Sequence, residues 1–152
     1  MILTKEATMN LHYRGNPIVM DALQGDSGRA LVIHFLAGET PWTIPENTHI
    51  LVQYCCQDGT GGIYDSLPDD ASAYVIDGDT LTVFLASAVC AVAGETKLQV
   101  TLLNDGVQLS SFPVVIQVTP QVNAQTESGE YTNLMQWWVK RDIKGDTGES
   151  GV

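Results

Sequence analysis

The residues able to do chemistry in this chain are few and scattered. His12, His34 and His49 are its three histidines, and Cys55, Cys56 and Cys90 its three cysteines. Zinc would need such residues in two close-spaced sets, and none of these six has that spacing. His34 lies inside the apolar run Leu31–Leu36 and reads as a core or sheet-face residue. Adjacent Cys55 and Cys56 cannot chelate as a Cys-x-x-Cys pair does. An odd cysteine count argues against a disulfide framework, so all three read as small apolar core residues. Gly59-Thr60-Gly61-Gly62 matches a phosphate loop only in glycine content, because the Lys-Ser/Thr pair and the helix that should follow are missing. Asp65, Asp69, Asp70, Asp77 and Asp79 make an acidic region. It offers oxygens to calcium but lacks the twelve-residue loop with a terminal Glu, so it reads as solvated turn aspartates before a calcium site. A hydrolase acting on cell-wall polymer would need paired acids on rigid elements, which this region does not provide. No catalytic residue, metal or cofactor is expected. Trp42, between Pro41 and Pro45, has two readings: an aromatic that stacks on a sugar ring, or one that packs a loop.

Composition narrows the classes further. The chain has 152 residues, 44% of them hydrophobic, and a formal net charge of −11, so it holds enough apolar material for one domain core. That charge argues against nucleic acid, which needs clustered Lys and Arg to neutralise phosphates. Lys5, Arg14, Arg29 and Lys97 are scattered, while Lys140, Arg141 and Lys144 sit together where they would complement a helix C-terminus. Met1–Lys5 begins no signal peptide, and no stretch is long and apolar enough to insert in a membrane. Cytoplasmic synthesis, with release by lysis, is the expectation.

The elements that must carry these residues read as strands over residues 1–120. Alternating or apolar runs cover Thr8–Arg14, Ile18–Leu23, Ala30–Leu36, Thr48–Cys56, Gly61–Tyr64, Ala73–Ile76, Thr80–Leu85, Lys97–Leu103, Val107–Phe112 and Val114–Val118. Asp77-Gly78-Asp79 and Asn104-Asp105-Gly106 are hairpin signals, since Gly accepts the positive φ of tight turns. The small residues Ala86–Ala93 suit a helical turn across an end of the sheets. Short strands at this spacing, without long helices between them, predict an antiparallel β-sandwich of immunoglobulin-like type.

Composition shifts after Pro120. Residues 121–129 are polar and read as a linker. Residues 130–144 carry the strong helix signal: Ser128 serves as N-cap, and Tyr131, Leu134, Met135 and Trp138 form one apolar stripe. Such a stripe packs either on its own sandwich or between chains, and the second choice makes it a trimerisation helix. Gly145, Gly148 and Gly151 recur at every third position over residues 145–152. This is the register of a collagen triple helix, where only Gly fits the axis, although so short a run also suits a flexible polar tail.

The order sandwich, polar linker, amphipathic helix and Gly-x-y tract resembles tail and baseplate proteins of phages and prophages that infect Gram-positive bacteria. More narrowly, residues 1–120 resemble the N-terminal domain of baseplate upper proteins. The resemblance lies in Ala30–Phe35, in Ile50–Tyr54 followed by Asp58-Gly59, and in Gly78–Val83. It is strongest in Gly94–Leu103 and Gly106–Val114, an apolar strand, a polar-Asp-Gly turn and a strand ending in Phe-x-Val. Gly61-Gly62-Ile63-Tyr64 departs from the pattern, where a continuing strand is usual. The resemblance implies a structural protein of the virion whose N-terminal domain docks on the tail hub as a homotrimer. It also implies other tail and baseplate proteins as partners, and a downstream receptor-binding or fibre segment directed at host cell-surface glycan. A carbohydrate-binding sandwich, using Trp42 with Tyr64 or Tyr74, is the alternative.

Overall fold

The computed structural model describes residues 1–122. The helix expected at 130–144, the Gly-x-y tract at 145–152 and all but the first two residues of the linker lie outside the described residues. Met1–Gln121 form one compact unit.

The chain order is β1 (Leu3–Asn10), β2 (Ile18–Leu23), β3 (Arg29–Ala37), β4 (Thr40–Pro41), β5 (His49–Cys55), β6 (Gly61–Tyr64), β7 (Tyr74–Asp77), β8 (Thr80–Phe84), a 3₁₀ turn (Ser87–Cys90), β9 (Gly94–Asn104), β10 (Val107–Ser110) and β11 (Val114–Thr119). One sheet runs β1-β3-β8-β7, with β4 beside β3. The other runs β2-β11-β9-β5-β6, with β10 beside β9. Period-2 alternation explains why the two share one core. Leu31, Ile33, Phe35, Leu81 and Val83 from the first sheet join Ile50, Val52, Leu98, Val100 and Ile116 from the second in a single hydrophobic cluster.

The expected antiparallel sandwich is corrected to a mixed one. β1 pairs with β3 in parallel, Leu3 opposite Arg29, and β11 pairs with β2 in parallel, Val114 opposite Ile18. The cause is connectivity. After β1 the chain crosses to the other sheet for β2 before returning as β3, so β1 and β3 run the same way without a crossover helix. Both hairpins form where the glycines predict. In β7–β8, Gly78 alone takes a positive φ, +66°, at the first turn position. In β9–β10, Asp105 (φ 52°) and Gly106 (φ 79°) both do, the type I′ pattern.

Strand β1 occupies Leu3–Asn10, not Thr8–Arg14. Asn10 ends it: its Oδ1 accepts from the His12 and Gly38 N–H groups, while its amide donates to the Gly38 carbonyl. Gly61–Tyr64 is a true strand, paired with β5. Its two glycines let it approach Tyr54. A Cβ on Gly61 would collide with the Tyr54 carbonyl, and one on Gly62 would sit 3.1 Å from the Tyr54 hydroxyl.

Ser111 repairs the ladder where β9 changes partner from β10 to β11. Its hydroxyl accepts from the Val100 N–H at 3.0 Å, and its own N–H donates to the Val100 carbonyl at 2.9 Å. Pro113 follows in the gap between β10 and β11, where no ladder N–H is needed.

Candidate functional site

Most candidates for chemistry are used by the fold; His12 and Cys55 are exposed. His34, on the outer face of β3, meets Glu6 Oε1 at 2.9 Å through Nε2 and Thr80 at 3.1 Å through Nδ1. It thereby links β1, β3 and β8. His49 meets Asp65 at 3.0 Å and lies edge-on to Tyr74, with ring centroids 6.2 Å apart. Cys55 is exposed, while Cys56 and Cys90 are buried and free. Burial pushes the Cys90 thiol up to about 11, so it stays a neutral core group. The acidic region is turn chemistry: Asp69 accepts from the Ala71 N–H, and Asp70 holds φ 67°. Asp58 accepts from both the N–H and the hydroxyl of Thr60; the hydroxyl bond leads in holding its carboxyl below the usual range. Among the described residues, no three His, Cys, Asp or Glu side chains cluster as metal ligands.

The aromatic candidates are anchored. Trp42 is half-buried, packs against the core and meets Phe35 edge-on at 6.1 Å. Beyond its ring lies a small apolar hollow of about 110 Å³, completed by Pro45, Leu102, Val107 and Leu109. Tyr64 crosses between the sheets. Its hydroxyl donates to the Phe84 carbonyl at 2.9 Å and accepts from the Ala86 N–H at 3.2 Å. Burial pushes this phenol up to about 12, against the lowering effect of the Ala86 bond. Tyr131, Leu134, Met135 and Trp138, with Gly145, Gly148 and Gly151, lie outside the described residues.

One concave feature was not legible in the sequence. A cleft of about 370 Å³ opens where β1 ends and β2 begins, beneath residues 11–17. Met9 and Leu36 line its apolar part, Tyr13 and Phe112 supply rings, and Arg14 and Lys97 supply cations. No Asp or Glu lines it. Among the described residues neither cation forms a salt bridge, whereas Arg29 is held by Asp26. Arg14 and Lys97 stand 83 positions apart in the chain, so only the fold brings them together. Beside this cleft both sheets present an edge: among the described residues β1 has β3 as its sole strand neighbour, and β2 has only β11.

Comparison with known proteins finds a likeness of structure and none of sequence. No protein-family model and no curated protein matches the chain. Among solved structures, the N-terminal domain of phage TP901-1 ORF48 is similar, with a TM-score of 0.55 and 12% identity. The match covers 78% of this chain and 99% of that domain. At so low an identity the likeness establishes the fold: a mostly β domain of two mixed sheets, shared with the N-terminal domain of a phage protein.

Proposed function

We propose that this chain is a structural protein of a phage or prophage tail, of baseplate type, whose N-terminal domain attaches a trimeric fibre or receptor-binding segment. The observation that carries this reading is the shared fold, which extends over nearly the whole of a phage protein's N-terminal domain. The sequence resemblance to baseplate upper proteins points the same way. So does the use of His34, Cys56, Cys90, Asp58 and Asp69 in ladders, core and turns. In this reading the protein acts by binding and not by catalysis. Residues 130–144 align three chains through Tyr131, Leu134, Met135 and Trp138, and Gly145, Gly148 and Gly151 begin the rod. Aromatic anchors of this kind bury large area and dominate association.

The test is mass spectrometry of purified particles induced from a strain that carries the gene. The chain should be present in tailed particles, and its absence from them refutes the assignment. Light scattering checks the trimer separately. The whole chain should have three times the protomer mass, and a chain ending at Pro120 should be a monomer. A monomeric whole chain at micromolar concentration removes the trimerisation role from residues 130–144.

A further inference from the structure

We propose that the cleft between β1 and β2 receives a carboxylate carried on an extended segment of a partner protein, added as a strand along β2. The inference rests on the docking role above for the partner's being a protein, and it names the site of docking and the chemistry recognised there. Charge is the first observation. Residues 1–122 hold four Lys or Arg against thirteen Asp or Glu, so most of this surface repels an anion. Arg29 is held by Asp26, and Lys5 lies on the exposed first half of β1. The remaining two cations, Arg14 and Lys97, line one cleft that contains no carboxylate.

Backbone geometry favours a peptide. Among the described residues β2 pairs only with β11, so its other side has no strand partner, the arrangement that strand addition uses, except that the Leu23 N–H and carbonyl are both engaged by Asp26. Ile18, its first residue, lines the cleft. Val19 and Leu23, on its outer face, are 44% and 50% exposed. A strand laid along β2 would therefore find the two cations at the Ile18 end and Val19 beside it, while Asp21, between Val19 and Leu23, and Asp26, bonded to the Leu23 N–H, disfavour an acid at the far end.

The experiment uses the whole chain, isotopically labelled, and follows amide shifts by NMR. The probe is an acetylated hexapeptide of alternating valine and threonine with glutamate at one end. Its control carries glutamine in place of the glutamate. Shifts should concentrate at residues 9–23, 97 and 112–115. The glutamate peptide should bind about tenfold more tightly than the control, the size of one good charge-assisted contact. That preference should shrink in 1 M salt. Arg14→Ala with Lys97→Ala should abolish the preference while leaving the thermal midpoint unchanged, since both side chains are exposed. Equal binding of the two peptides, no shifts, or a preference that survives the double substitution overturns the proposal. So does a glucuronate oligosaccharide that shifts the same amides when the peptide does not, because the ligand would then be an acidic glycan. The two readings fail independently. A chain present in particles without the glutamate preference sinks the cleft alone, and a glutamate preference in a chain absent from particles sinks the tail assignment alone.

Discussion

Thr96 is wholly buried on β9, and among the described residues its hydroxyl has no hydrogen-bond partner. An unmatched buried hydroxyl costs free energy that an isosteric methyl does not. Thr96→Val should therefore raise stability by about 1 kcal/mol in urea unfolding at pH 7. Asp26 illustrates the opposite balance. Its hydrogen bond with Arg29, first, and then the Leu23 N–H hold its carboxyl below the ordinary value of 3.8. A carboxyl lowered in the folded state adds stability above its unfolded pKa and loses it as pH falls through the folded one. Asp26→Asn should cost about 1 kcal/mol at pH 7, within the range of a partly exposed pair. The gap from the native chain should close below about pH 3.8, the ordinary aspartate range. Urea melts of both proteins between pH 7 and pH 3 give the comparison, and a gap that widens on acidification refutes this role for Asp26.

Ladders and edges explain what could be read in advance at the scale of elements. Strands with one buried face announce themselves: in β3, β5 and β9, inward residues alternate with outward ones, and the Asp-Gly turns fix their hairpins. β1 did not announce itself, because Leu3–Glu6 are exposed throughout and so carry no alternation to detect. The parallel pairs were equally hidden. Alternation records which face is buried and says nothing about which strand lies alongside. Ser111 was invisible for a related reason, since its role depends on β9 exchanging one neighbour for another. Ser111→Ala would leave the Val100 N–H buried without its acceptor. The expected loss is about 1–3 kcal/mol, read as a lower urea midpoint with an unchanged slope. An unchanged midpoint would mean that water or another group satisfies the amide.

For the whole molecule, the site was the least legible feature. The cleft joins residues from β1, the segment after it, β9 and the entry to β11, and no local pattern connects them. That the domain is mostly β, and where its two Asp-Gly hairpin turns fall, by contrast follow from local sequence; its mixed pairing does not. Deleting residues 114–122 tests how far the molecule depends on its last strand. β11 contributes the buried side chains Val114, Ile116 and Val118 and separates β2 from β9. The shortened chain should show no cooperative thermal transition, and a sharp one near the native midpoint would make β11 dispensable. The pairing of Ile18 with Val114 also sets a schedule for synthesis. Strands so far apart in sequence are slow to find one another, because a long loop must close before the contact forms. On the ribosome β2 waits for nearly the entire domain to emerge before its partner exists, and residues 130–144 appear later still. The domain can thus be complete before the segment proposed above to gather three chains has been made.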